Sequence, residues 1–278
     1  MILKALYDYY NRCDHLPASG MEEKEIGFVI VISKEGKFVR FEDCRIDNKQ
    51  ARTYLVKKHV GRSSAVAANY LYDNSTYVLG YADTEKAKGD TEQIKKHSDK
   101  EKACFEALKE KVVSIYKVYP NCNDMAAICK IYQQSKEEIL SCISQDSLWE
   151  DIKKNLSKKY STFSFRIDGD LKIVAEKREL LQLEDSEDEN KGNLLCLITG
   201  NKGTAVDTTT ATMIPGSQAT AKLVSFQVNS GYDSYGKKKC RNAPISKDAE
   251  FAYTTALNAM LRKGSHNKFS VGNRTFVF

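Results

Sequence analysis

Ile26-Gly-Phe-Val-Ile-Val-Ile32 is followed by Glu35-Gly36 and then by Phe38-Val-Arg-Phe-Glu-Asp-Cys44. Two β-rich runs on either side of a glycine-bearing turn read as a hairpin, because glycine accepts the positive φ that a tight turn needs. Strand patterns recur at 53–56, 76–80 and 163–167, whereas the stretch from about 84 to 160 changes character. There Phe105, Leu108, Val112 and Ile115 fall at helical spacing among charged residues until Pro120. Met125, Ile128 and Tyr132, then Ile139 and Ile143, continue the helical pattern. The fold class is therefore α+β: an antiparallel-rich mixed sheet with a helical insertion at about 84–160, containing three to four helices, and a basic last third.

Working outward, residues 2–12 carry Leu3, Leu6 and Tyr10 at near-helical spacing. Ala65 to Tyr72 reads as a short helix capped by Ser63 or Ser64, followed by a turn at Asp73-Asn74-Ser75. Phe163 to Ile167 alternates, turns at Asp168-Gly169 and returns through Leu171-Lys-Ile173 as a second hairpin. Glu184 to Glu189 is an acidic run with the composition of an exposed loop. Leu194 to Ile198 and Leu223 to Val228 read as buried strands, joined by a long functional or mobile loop over Gly200 to Ala221. Ser246 starts the clearest helix: Asp248 and Glu250 lie in its first turn, Phe251 to Leu261 supply an apolar side, and Gly264 closes it. The sequence finishes on a strand pattern, Arg274-Thr-Phe-Val-Phe278.

The 278 residues suffice for a substantial core, and 41% hydrophobic residues argue against a wholly disordered chain. No apolar run approaches the length of a membrane span. Lys4 and Asp8 interrupt the N-terminal apolar stretch, which disfavours a signal peptide and points to a cytoplasmic location. The eight cysteines include no Cys-x-x-Cys pair and lie at no zinc-finger spacing from a histidine, so they read as reduced, mostly buried thiols. The net charge of +6 is unevenly placed: residues 191–278 hold twelve Lys or Arg against four Asp or Glu, while residues 1–190 hold 31 against 33. A polyanionic partner and a merely solvated basic face both fit that asymmetry.

The usual catalytic signatures are missing. Gly231-Tyr-Asp-Ser234-Tyr-Gly236 has the wrong spacing for a nucleophile elbow, and Gly200-Asn-Lys-Gly203 lacks the Gly-Lys-Ser/Thr of a P-loop. The four histidines stand alone among polar or basic neighbours. Asp168, Asp170, Glu176 and Arg178 form the best enzymatic set, since carboxylates followed by a cation can hold Mg²⁺ for phosphodiester hydrolysis, but Asp-Gly-Asp is also ordinary turn chemistry. No cofactor and no metal are called for.

Two basic loops are the binding candidates. In the first, Lys57, Lys58 and Arg62 precede Ser63 and Ser64, where a helix N-terminus would add unpaired amides for phosphate. Asn69 and Asn74 follow, and Asn can pair with a base edge; helix capping and a turn are the competing readings. In the second, Ser234-Tyr-Gly-Lys-Lys-Lys-Cys-Arg-Asn242 sets four cations in five positions, with Tyr235 and Gly236 letting a backbone approach; a solvated charge run competes. The candidate motif readers are Asn69, Asn74, Ser63, Ser64 and Gln218, and the candidate phosphate clamps are Lys57, Lys58, Arg62, Lys237, Lys238, Lys239 and Arg241.

Met1-Ile-Leu-Lys-Ala-Leu-Tyr-Asp-Tyr-Tyr, Leu16-Pro17, Glu23 to Ile32 and Ala67 to Gly80 resemble the start of the large subunit of the type I-C CRISPR surveillance complex, Cascade. Cys196 to Gly200, Leu223 to Phe226, Ser234-Tyr-Gly236, Asn242-Ala-Pro244 and Phe251 to Asn258 resemble the same family in the same order. Asn201 to Ala221 diverges from the family pattern, and 237–241 is more basic than it. The resemblance implies that residues 1–278 form the N-terminal motif-recognition domain of a longer subunit, with sub-regions 1–83, 84–160 and 161–278. It implies a non-catalytic role in antiviral defence: recognising the protospacer-adjacent motif on double-stranded target DNA and helping the guide-RNA complex open it. The implied partners are the subunit holding the guide-RNA handle, the backbone subunits and a recruited helicase-nuclease, with no membrane. A Mg²⁺-dependent nuclease using Asp168, Asp170 and Glu176, and an RNA- or protein-binding scaffold without DNA contact, are the alternatives.

Overall fold

The computed structural model describes the whole chain except residues 1, 14, 61, 63–65, 83–90, 159, 182–191, 193, 219, 227–232, 234, 263, 273 and 278, and the side chains of 91–95 and 97. It divides into two compact units, one built from residues 21–183 and the other from 1–20 with 184–278. Among the described residues no helix is long and apolar enough to cross a membrane.

The 21–183 unit is organised by β2 (Phe28–Ile32), whose five side chains are all buried. A strand apolar on both faces belongs in the middle of a sheet covered on both sides. It pairs antiparallel with β3 (Phe38–Asp43), as the hairpin reading expects, and the turn places Gly36 at φ +81°. On its other side β2 pairs parallel with β6 (Thr162–Ile167), and β6 pairs antiparallel with β5 (Tyr72–Asn74). The sheet order is thus β3-β2-β6-β5, a mixed, antiparallel-rich sheet. A separate ribbon joins β1 (Met21–Glu25) to β4 (Thr53–Lys57).

The helical stretch follows between β5 and β6 in sequence. After the four-residue α2 (Ser75–Val78) come α3 (Thr91–Val118), α4 (Asn123–Ile131), α5 (Lys136–Ile143) and α6 (Trp149–Asn155). Phe105, Leu108, Val112 and Ile115 are buried on one side of α3, as their spacing requires. Ser135 and Glu138 form a reciprocal capping box on α5. Trp149 stacks on Phe41 at 6.2 Å between ring centres, so α6 closes one face of the sheet.

In the other unit α1 (Ile2–Arg12) packs on α8 (Lys247–Leu261), with Leu6, Ala249, Tyr253, Ala256 and Leu257 in a common core and Tyr10 edge-on to Phe251 at 5.8 Å. The Ser246 hydroxyl caps α8 by accepting the Ala249 N–H, and Gly264 follows at φ +80°. A terminal hairpin pairs β9 (Lys268–Val271) with β10 (Arg274–Val277).

Several expectations fail, for identifiable reasons. No helix forms over 66–72: Leu71 sits at φ +60°, and Tyr72 enters β5. Residues 75–78 are helical rather than a strand, because Asn74 accepts the Thr76 and Tyr77 N–H groups and so nucleates α2. The second hairpin does not form: β6 takes β2 and β5 as neighbours, and after Asp168-Gly169 the chain leaves the sheet for a 3-10 turn at Val174–Glu176 and α7 (Arg178–Leu181). Only Leu194–Leu195 of the expected 194–198 strand pairs, as β7, with β8 (Lys202–Gly203). Residues 223–226 are not a strand, and 227–228 lie outside the described residues. The 200–221 loop is strapped along α8: buried Glu250 accepts the Thr210 N–H, while Asn258 accepts the Met213 N–H at 2.9 Å and donates to the Ala211 carbonyl at 3.1 Å. The 184–189 acidic run lies outside the described residues.

Candidate nucleic-acid interface

The first basic loop is built around a buried carboxylate. Asp73, only 2% exposed, accepts the backbone N–H groups of Asn69 and Asn74, each at 2.9 Å. Arg62 forks onto the same carboxylate, one contact being 3.0 Å and the second shorter still. The Arg62 Nε donates to the Ala67 carbonyl at 2.6 Å, and its guanidinium lies 4.1 Å from the Tyr77 ring centre. Burial pulls the Arg62 pKa down, but the Asp73 hydrogen bonds and charge outweigh it, so the net shift is upward. Arg62 is therefore held inward, with its guanidinium engaged by Asp73, the Ala67 carbonyl and the Tyr77 ring. Asn69 is buried as well, and its Oδ1 accepts the Val60 N–H at 2.9 Å, so that oxygen is already engaged within the fold.

The other members of this group divide. Asn74 is exposed, with its Oδ1 occupied as the cap of α2. Lys57 is half-buried, its ammonium 4.6 Å from the Tyr70 ring centre, and Lys58 is half-buried beside it. Ser63 and Ser64 lie outside the described residues, and the helix they were expected to cap is not formed. Next to this loop Glu22 receives the Tyr72 hydroxyl at 2.9 Å and the His59 ring at 2.7 Å. Burial raises the Glu22 pKa, but the His59 and Tyr72 contacts overcome it and leave the pKa lowered.

The second basic loop, in the other unit, has a different construction. Lys239–Arg241 is a 3-10 turn anchored by buried Cys240. The Asn242 side-chain amide donates to the Lys237 carbonyl at 2.9 Å, and the Asp233 carboxylate accepts the Lys239 N–H at 3.3 Å. Lys239 is half-buried and ion-paired with Asp207 at 3.2 Å. Lys237, Lys238 and Arg241 are exposed. The result is a pinned backbone that presents three cations to solvent. Gln218 is exposed on the strapped loop of the same unit.

The carboxylates of the nuclease alternative each have a partner of their own. Asp168 pairs with Arg40 at 2.9 Å, Asp170 with Lys177 at 2.5 Å, and Glu176 accepts the Leu55 N–H at 3.3 Å. Arg178 opens α7. Among the described residues the three-donor cluster is Cys122, Asp124 and Glu179, where the Lys177 ammonium already contacts Asp124. All eight cysteines are free: five are buried, Cys13 and Cys122 are half-buried, and Cys142 is exposed.

One feature has no signal in the sequence. Buried Cys196 accepts the Ser246 N–H at 3.3 Å, at the start of α8. Burial opposes ionisation, but hydrogen bonds from Ser246 and Thr199 prevail and lower the thiol pKa to about 7.

A family model for a CRISPR-associated protein, Cas_Csd1, matches residues 6–278. No curated protein matches the chain. Apart from the first five residues, the blocks that carry the resemblance thus lie within one continuous match that spans both units, and a match of that extent identifies a subunit of the CRISPR defence complex Cascade. The chain belongs to the Cas_Csd1 family of CRISPR-associated proteins, the large-subunit family of type I-C Cascade.

Proposed function

We propose that this chain is the non-catalytic, cytoplasmic subunit that recognises the protospacer-adjacent motif on double-stranded target DNA and helps the guide-RNA complex open the duplex for a recruited helicase-nuclease. The observation that carries the reading is the 237–241 loop, where Lys237, Lys238 and Arg241 stand exposed on a backbone held by Asn242, Asp233 and Cys240. Phosphate contacts from such cations position a protein on DNA without reading sequence, and a few polar side chains must then reach base edges. Asn74 and Gln218, both exposed, are the candidates for that second task. Arg62 and Asn69 already serve internal contacts, so the proposed interface does not use them. Guide pairing reads the remainder of the target, so the protein needs few base contacts of its own.

The test is DNA binding by the reconstituted complex, with and without this chain, across a set of motif variants and salt concentrations. Lys238→Ala is expected to weaken binding to all variants alike and to reduce the slope of log affinity against log salt by about one unit. Loss of the chain is expected to abolish discrimination among motifs. An unchanged salt slope in Lys238→Ala, together with unchanged discrimination in the complex lacking the chain, would defeat the proposal.

A further inference from the structure

Tyr235 is 99% exposed, at the tip of the same loop. Single exposed aromatics are common and mean little alone. This one is held in an uncommon backbone: Tyr235 lies at φ +54°, Gly236 at φ +69° and Lys239 at φ +50°. Non-glycine residues in the left-handed region carry strain that persists only where neighbours impose it. The Asn242 amide on the Lys237 carbonyl, the Asp233 carboxylate on the Lys239 N–H and buried Cys240 pin the segment that follows the ring. The loop thus presents an exposed aromatic ring with Lys237, Lys238 and Arg241 following it within the same tight turn.

An exposed ring set among cations is the arrangement by which proteins hold unpaired bases: the ring offers a stacking face, and the cations take the flanking phosphates. A base within an intact duplex has both faces covered by its neighbours and cannot use such a ring. We propose that Tyr235 is a base-stacking residue that receives an unpaired DNA base, with Lys237, Lys238 and Arg241 holding the adjacent phosphates. This rests on the DNA-binding reading above and deepens it, because it assigns the loop to the strand exposed when the duplex opens.

The experiment measures binding of the whole chain at low salt to a single-stranded DNA oligonucleotide, to the same strand carrying one abasic site at successive positions, and to an RNA strand of the same sequence. Tyr235→Ala is expected to weaken single-strand binding about tenfold, and Tyr235→Phe to restore it. One abasic position is expected to cost the unsubstituted chain a similar factor and to cost Tyr235→Ala nothing further. That coupling would not arise from a structural role, and an exposed side chain can be truncated without unfolding the loop. If Lys238→Ala weakens binding but Tyr235→Ala matches the unsubstituted chain, the stacking proposal falls and the DNA reading stands. If Lys238→Ala also has no effect, the phosphate contacts assigned to this loop fall together with the stacking proposal, and the motif-recognition reading is decided by the complex assay above. Tighter binding of the RNA strand with the same dependence on Tyr235 would overturn the assignment to DNA.

Discussion

Replacing Arg62 with alanine tests whether that cation is a strut or a clamp. The substitution removes a forked ion pair to Asp73, a hydrogen bond to the Ala67 carbonyl and a stack on Tyr77. It leaves the Asp73 carboxylate, 2% exposed in the unsubstituted chain, with only the Asn69 and Asn74 N–H groups to hold its charge. Removing one partner of a buried pair costs about 3–5 kcal/mol. Two remaining donors and the partial exposure of Arg62 place this case near the lower end, at about 3 kcal/mol. For a domain of this size the melting temperature should fall by about 6–12 °C. The protein's single tryptophan, Trp149, is buried in the same 21–183 unit, so its fluorescence reports that unit's unfolding without contribution from the other. Asp73→Asn in the Arg62→Ala background should recover part of the loss, because a neutral amide leaves no stranded charge. A Trp149 midpoint unchanged within about 1 °C in Arg62→Ala, accompanied by weaker DNA binding, would refute the argument and return Arg62 to the phosphate clamps.

Asn74→Ala should destabilise the 21–183 unit by about 1 kcal/mol through loss of the α2 cap, whereas Asn74→Asp should keep the cap; if Asn74 also reads a base edge, Asp lowers motif discrimination by about 1–3 kcal/mol at unchanged stability, measured by competition among motif variants. Because the Cys196 thiol ionises near pH 7 in the folded chain, well below its ordinary range, folding should release a proton between that pH and the ordinary thiol range. Stability of the unit containing α8 should therefore rise between about pH 7 and 9, by about 2 kcal/mol at most, and lose that increment as pH falls through 7. Hydrogen exchange of α8 amides should show this rise in the unsubstituted chain and not in Cys196→Ser.

The parts of the fold legible in the sequence are those decided within a few residues. The β2–β3 hairpin needs two apolar runs and a glycine, α8 needs Ser246 and its periodic apolar side, and the 84–160 helices declare themselves by spacing. The misread segments are those where a distant partner outweighs local preference. Phe163 to Ile167 has a good turn after it, yet the fully apolar β2 offers a parallel partner and the local hairpin is lost. Ala65 to Tyr72 has helical composition, but the Tyr70 hydroxyl donates to the Leu180 carbonyl and Tyr72 donates to Glu22, and those anchors hold residues 66–72 out of a helix.

The same division governs the candidate site. A cation serves a phosphate only if no internal carboxylate has already claimed it, and that is a property of the fold, not of composition. Arg62 and Lys238 look equally available as letters in two basic runs. Asp73, eleven positions beyond Arg62 and made inaccessible by the sheet, draws Arg62 inward. A buried carboxylate cannot be left unpaired without a cost larger than most single interactions. Lys238 follows Gly236 on a loop where Asp233 accepts a backbone N–H and Asp207 pairs with Lys239. Two acids thus consume one ammonium and one amide, and three cations remain exposed around an exposed ring. The charge excess of residues 191–278 becomes a binding argument only at that point, because the fold leaves Lys237, Lys238 and Arg241 exposed on one pinned loop.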